Sequence, residues 1–186
     1  MLQTGTKAPA FTLPSTSGAS VSLASLKGRK VVLYFYPRDN TPGCTVEACD
    51  FRDQHSALQK AGAVVLGVSS DSLKSHAGFR AKYELPFDLL VDEGSKVASA
   101  YGAFGEKLMY GRKVQGTIRS TFLIDEQGKL AAVWSPVKVA GHAEAVLAAL
   151  TGASAPAAKK PATAKKASPK KAATKKAAPK KVSKKA

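Results

Sequence analysis

Residues Val31–Asp53, VVLYFYPRDNTPGCTVEACDFRD, hold both cysteines of the chain, and the rest of the sequence is read outward from them. Val31 to Tyr36 is a short run of β-branched and aromatic residues, the composition of a strand buried on both faces of a sheet. Pro37 ends it, and Asn40 to Gly43 carries turn chemistry. From Cys44 onward, Thr45, Val46, Glu47, Ala48 and Cys49 contain no breaker and lead into Phe51 and Leu58 at helical spacing. Cys44 is therefore expected at a helix N-terminus, where unpaired backbone N–H groups and the helix dipole favour negative charge. That favours the thiolate, which is the nucleophilic form of cysteine. Lowering a thiol from its ordinary range to ionise below neutral pH takes about 3 kcal/mol, and a helix end supplies roughly 0.3 to 2 kcal/mol. A fixed cation is needed as well. Arg38 and Arg52 lie on or near the same loop and helix and Arg119 is distant in sequence, so spacing alone leaves all three open.

Pro37, Thr41 and Cys44 form the pattern P-x3-T-x2-C, followed by T-V-E-A-C-D-F-R-D. The stretch resembles the active-site signature of the peroxiredoxins, specifically the bacterioferritin-comigratory or Q type of the AhpC/TSA superfamily. The resemblance covers about residues 3–150, including G-T-K-A-P-A-F-T-L-P at residues 5–14, R-S-T-F-L-I-D at Arg119 to Asp125, and G-H-A-E-A-V-L at residues 141–147. It implies a thiol peroxidase in which Cys44 attacks the O–O bond of hydrogen peroxide or an organic hydroperoxide. Thr41 would hydrogen-bond the substrate, Pro37 would shield the site, and Arg119 would be the cation. It further implies that Cys49 resolves the Cys44 sulfenic acid as an intramolecular disulfide, recycled by thioredoxin or a similar dithiol. No cofactor is implied, and by analogy with relatives the protein is expected to be a monomer.

The second cysteine constrains that cycle. On one regular helix, five residues give a rise of about 7.5 Å and a turn of about 140°, which puts the Cα atoms of Cys44 and Cys49 roughly 8.6 Å apart. Bridged Cα atoms lie below about 7 Å. If the two cysteines pair, the helix has to unwind locally in each turnover. The alternative for Cys49 is a small buried apolar residue.

The flanking chain reads as α/β. Ala10 to Leu13 and Val21 to Leu23 are expected to form an N-terminal β-hairpin across the Ser15 to Ser20 turn cluster. Ala63 to Val68 is a second buried strand, parallel to the first, and Ser69, Ser70 and Asp71 lead into a helix over Ser72 to Tyr83. Phe87 to Val91 makes a short strand and Ser95 to Tyr101 a short helix, whereas Gly102 to Gly116 is poorly patterned. Ser120 to Ile124 and Lys129 to Trp134 are joined by Asp125, Glu126, Gln127 and Gly128 as a hairpin, and Gly141 to Leu150 is a last amphipathic helix. Parallel strands first, a hairpin last and helices between fit a thioredoxin-like fold: a central mixed sheet flanked by helices, as the resemblance also implies. His55, His76 and His142 lack metal-ligand spacing, and with Cys44 and Cys49 do not complete a zinc site. They are read as surface histidines, and Trp134 as core or edge packing. Glu47 is either a favourable first-turn charge or the partner that orients Arg119. Asp39 and Asn40 are assigned no role.

Charge divides the chain. Of 29 Lys and Arg, 17 precede residue 151 together with all 13 acids, leaving that part at a net +4; residues 151–186 carry 12 lysines and no acid. The lysines come in pairs: Lys159 and Lys160, Lys165 and Lys166, Lys170 and Lys171, Lys175 and Lys176, Lys180 and Lys181, Lys184 and Lys185. Pro156, Pro161, Pro169 and Pro179 interrupt any long helix, and Val182 is the only large apolar side chain. Such a segment cannot offset an ordering entropy of about 1 to 2 kcal/mol per residue, so a disordered tail is expected after a folded domain over 1–150. Its composition resembles the tails of linker histones and of some bacterial nucleoid proteins, and DNA or RNA phosphate is the natural counter-charge. The other readings are a solvated solubility tail and an anionic membrane or polyphosphate as the counter-charge. No apolar run approaches 18 residues and no secretory leader is visible, so a cytoplasmic protein is expected, nucleoid-associated if the tail binds DNA, with no membrane partner. Two function classes follow: a peroxidase working through Cys44, and a nucleic-acid-coating protein whose folded domain is a passive carrier.

Overall fold

The computed structural model describes residues 2–109 and 112–152; the tail and its twelve lysines lie outside the described residues. β1 (Thr12–Pro14) and β2 (Ser20–Ser22) form the N-terminal antiparallel hairpin, one to two residues displaced from the expected spans. Ahead of β1, the Phe11 carbonyl accepts from the Leu23 N–H at 3.1 Å, which continues the backbone pairing one residue past the strand ends. β3 (Lys30–Phe35) follows, then α1 (Pro42–Asp53), α2 (His55–Lys60), β4 (Ala63–Ser69), α3 (Leu73–Lys82), β5 (Asp88–Val91) and α4 (Lys96–Ala100). The expected single helix through Phe51 and Leu58 is broken at Gln54 (φ −88°, ψ −1°), yet both residues still reach one core. Ser72 caps α3 by accepting from the Ser75 N–H.

The poorly patterned stretch is a two-stranded ribbon, β6 (Phe104–Met109) paired antiparallel with β7 (Arg112–Thr117). Glu106 ion-pairs across the ribbon with Lys113, diagonal to its register partner Gln115, and with Gly105, Lys107 and Gly116 at the alternate positions the sequence lacks the apolar alternation that marks a half-buried strand. β8 (Ser120–Ile124), β9 (Leu130–Trp134) and α5 (His142–Thr151) complete the described chain.

The central sheet has the order β5-β4-β3-β8-β9, with β3, β4 and β5 parallel and β8 and β9 antiparallel to their neighbours. This is the mixed, helix-flanked sheet expected. Side chains alternate along β3: Val32 and Tyr34, followed by Tyr36, face a core completed by Phe51, Leu58, Phe79 and Val146 from the helices. Val31, Leu33 and Phe35 face a second core with Phe11, Tyr101 and Phe122. Both faces are dry, which is why the run showed no polar alternation. Gly67 is required where it stands, because a Cβ there would lie 2.6 Å from the Tyr34 hydroxyl and 2.7 Å from Leu89. Trp134 packs partly buried against the first core, as the sequence reading had it.

Candidate active site

Thr41 is the N-cap residue of α1 and Pro42 its first residue, the position where a missing N–H costs nothing. Thr41 does not cap with its side chain; its Oγ1 donates to the Arg38 carbonyl at 2.9 Å. Cys44 falls in the first turn, 1% exposed, as the turn signal at Asn40 to Gly43 indicated. Arg119, on the link between β7 and β8, brings Nη2 to 3.2 Å from the Cys44 Sγ. The Val137 N–H holds the Arg119 carbonyl at 2.9 Å. Gly43 leaves the guanidinium room, since a Cβ there would meet Nη2 at 3.3 Å.

Of the three arginines that spacing left open, Arg119 is therefore the one against the sulfur. Arg52 turns to Asp53 and to the Tyr83 carbonyl, and Arg38 is exposed. Glu47, one turn beyond Cys44 on the same helix face, accepts from Arg119 Nη1 through Oε2. Of its two readings, the partner of Arg119 is the one the contact supports. Glu47 is 1% exposed and its Oε1 has no hydrogen-bond partner among the described residues. Burial pushes its carboxyl up to about 7, against the downward pull of the Arg119 charge. Cys49 is half-buried, and both cysteines are free thiols on one helix. Pro37 is half-buried just beyond β3.

Two sequence expectations are corrected. His76 and His142 are buried, not on the surface; only His55 is partly exposed. His142 Nε2 pairs with the Thr121 Oγ1 at 2.8 Å, and burial, helped by the Arg119 charge, pushes its imidazole down to about 4. It is thus neutral at pH 7, which leaves Arg119 as the cation beside the thiol. Asp39, given no role, is 5% exposed and accepts from Tyr36, Ser75 and His76. The available signal was the spacing of His76 three residues before Phe79, which places both on the inner face of α3.

Residues 4–133 match the model of the AhpC/TSA family. This chain belongs to the AhpC/TSA family. Within it the chain is a Bcp-type peroxiredoxin. Peroxiredoxin Bcp of Bacillus subtilis is 46% identical over 149 residues, covering 80% of this chain and 95% of that protein. Peroxiredoxin Bcp of Xanthomonas campestris is 47% identical over 145 residues, covering 77% of this chain and 91% of that one. The solved structure of the Xanthomonas campestris bacterioferritin comigratory protein superposes with a TM-score of 0.75 at 43% identity, covering 81% of this peroxiredoxin and 98% of that chain. The thioredoxin-like fold is shared throughout this coverage.

Proposed function

We propose that this peroxiredoxin reduces hydrogen peroxide and organic hydroperoxides through Cys44. The observation that carries the reading is the guanidinium of Arg119 at 3.2 Å from a buried sulfur in the first turn of a helix. There the cation and the unpaired N–H groups of the helix end both favour the thiolate. The sulfur attacks one peroxide oxygen: an S–O bond forms, the O–O bond breaks, and the departing oxygen takes up a proton and leaves as water or an alcohol. Because the Thr41 hydroxyl spends its proton on the Arg38 carbonyl, its oxygen is left to accept a hydrogen bond from the peroxide. Pro37 shields the site. The Cys49 thiol then attacks the sulfenic sulfur, an S–S bond forms and water departs, which requires α1 to unwind between the two cysteines. Thioredoxin or a similar dithiol reduces the disulfide. The Xanthomonas campestris relative was studied for alkyl peroxide reduction, which supports the organic hydroperoxides as substrates.

The test is a mass spectrum after one equivalent of peroxide. A loss of two hydrogens with a Cys44 to Cys49 link is expected, whereas one oxygen retained on Cys44 would remove Cys49 from the cycle. Arg119→Ala is expected to slow the reaction of Cys44 with peroxide roughly 10- to 150-fold, the equivalent of about 1.5 to 3 kcal/mol for a charge-assisted hydrogen bond. Stopped-flow rates at pH 7 check this, and a rate within twofold of wild type would move the electrostatic role to another cation.

The tail is proposed to bind DNA and to keep the peroxidase in the cytoplasm close to the nucleoid. Twelve lysines and no acid in residues 151–186 support this reading. Each neutralised phosphate adds about 0.9 to the slope of log affinity against log salt, so engagement of half the lysines gives a slope near −5. Anisotropy titrations at several salt concentrations are expected to show that slope for the full chain and little affinity for a chain ending at Gly152, with equal peroxidase rates in both. Equal DNA affinity of the two forms would discard the idea.

A further inference from the structure

The link between β3 and α1 carries Pro37 and Thr41, and little on its outer side holds it: Arg38 and Asn40 are exposed, and Asn40 sits at φ 56°, in the left-handed region. Asp39 between them turns inward. Its Oδ1 accepts from the Tyr36 hydroxyl at 2.7 Å, and its Oδ2 accepts from the Ser75 hydroxyl at 2.7 Å. His76 Nδ1 lies 2.8 Å from the same Oδ2. The Asp39 N–H donates to Asp71 Oδ2 at 2.7 Å. His76 is 0% exposed on α3, and its Nε2 lies 3.1 Å from the Leu90 carbonyl on β5. A continuous line of polar contacts thus runs from β5 through His76 and Asp39 to the loop, and the catalytic steps described above use neither residue.

We propose that His76 is a positioning residue for peroxide reduction: acting through Asp39, it fixes the loop over residues 37–41 so that the Thr41 oxygen aligns the peroxide against Cys44. The proposal rests on the peroxidase reading of the same site. Three donors on one buried carboxylate leave it a single arrangement, and the carboxylate is two residues from Thr41. Hydrogen bonds from His76 and Ser75 hold the Asp39 carboxyl below its usual range although burial opposes them, so the acceptor stays charged. A misplacement of about 1 Å at a reacting geometry costs up to about a hundredfold in rate, and loss of the His76 contact is expected to free the loop on that scale.

The two ring nitrogens can be separated by substitution in the full-length protein. An asparagine at this position puts its amide nitrogen where Nδ1 stood and can still donate to Asp39. A glutamine puts its nitrogen where Nε2 stood, keeping the Leu90 contact and losing the one to Asp39. The measurements are the stopped-flow rate of the reduced protein with hydrogen peroxide, the rate of Cys44 alkylation by iodoacetamide, which needs no alignment by the loop, and thermal unfolding. His76→Gln is expected to slow the peroxide reaction roughly 10- to 100-fold with alkylation within about twofold, and His76→Asn to stay within about threefold of wild type for both. Asp39→Asn should repeat the pattern of His76→Gln and serves in its place if that variant does not fold. Equal peroxide losses in the Asn and Gln variants of His76, or peroxide and alkylation rates falling together, would overturn the proposal in favour of a general packing role. A wild-type protein that reacts with peroxide no faster than a free thiol would instead overturn the peroxidase reading itself.

Discussion

Replacing Cys44 by serine is expected to end peroxide consumption entirely, at any pH and with any dithiol reductant. Two properties of sulfur are lost together. A serine hydroxyl stays protonated beside Arg119 across the whole working range, so no nucleophile forms. Its oxygen also has no counterpart of the sulfenic acid, so even a slow encounter cannot take up the peroxide oxygen and pass it on. The protein should nevertheless fold, because Ser and Cys differ little in volume and the Arg119 to Glu47 pair remains in place. Peroxide consumption coupled to thioredoxin and its reductase reads the loss. Turnover retained in Cys44→Ser would leave the carrier reading, in which the folded domain serves only the tail. The tail itself is expected to bind DNA with unchanged affinity in this variant.

The second large effect concerns pH and the unwinding of α1. Glu47 stands between the two cysteines, so on the proposed cycle an opening of the helix that brings Cys49 to Cys44 is expected to take Glu47 into water as well. In the closed helix burial, opposed by the Arg119 charge and reinforced by Asp50, raises its carboxyl to about 7; in the opened segment it returns to its ordinary value of 4.5. Below about 4.5 the group is protonated in both forms and contributes nothing to the difference. As the pH rises from there to about 7, only the opened form ionises, so the closed helix loses stability progressively, and above 7 the effect is complete. The full difference corresponds to about 3 kcal/mol, or roughly two orders of magnitude in the opening equilibrium. Hydrogen exchange of the α1 amides in the reduced protein, corrected for intrinsic exchange, should therefore show protection falling by about that factor between pH 4.5 and 7.5. Glu47→Gln should remove the dependence, because a neutral amide has no proton to release. Protection in wild type that is flat with pH would mean that Glu47 ionises as readily inside the helix as outside it.

In functional terms, the same buried carboxylate that holds Arg119 against the sulfur would loosen the helix at the pH where peroxide is reduced. On the proposed cycle, a helix that was stable at every pH would favour the attack by Cys44 and obstruct its resolution by Cys49. Arg119→Ala bears on this balance as well, since it leaves Glu47 without the cation that lowers its carboxyl, and the group should then hold its proton to a still higher pH.

Much of the architecture was legible in the residues themselves. The β-branched and aromatic run at Val31 to Tyr36, the apolar run at Ala63 to Val68 and the turn at Asp125 to Gly128 depend on steric and solvation preferences within a few residues, and those act the same way in any fold. The position of Cys44 in the first turn of a helix is of the same kind, following from Pro42, Gly43 and the unbroken stretch after them. The β6–β7 ribbon was not legible, because Gly105, Glu106, Lys107, Lys113, Gln115 and Gly116 occupy both sets of alternate positions and leave no apolar period. Contacts between distant residues were also not legible. Which arginine meets the sulfur was decided by the sheet: β8 pairs with β3 so that Ser120 stands opposite Phe35, which carries the residue before it to the start of α1. Glu47 was then committed to Arg119, and not to the helix dipole, by that neighbour's arrival. The pairing of Asp39 with His76 likewise waited on α3 crossing to the end of β3. Short-range chemistry alone thus determined most of the elements and the place of Cys44 at a helix start, whereas the arginine beside its sulfur comes from far along the chain and was selected by strand order and register.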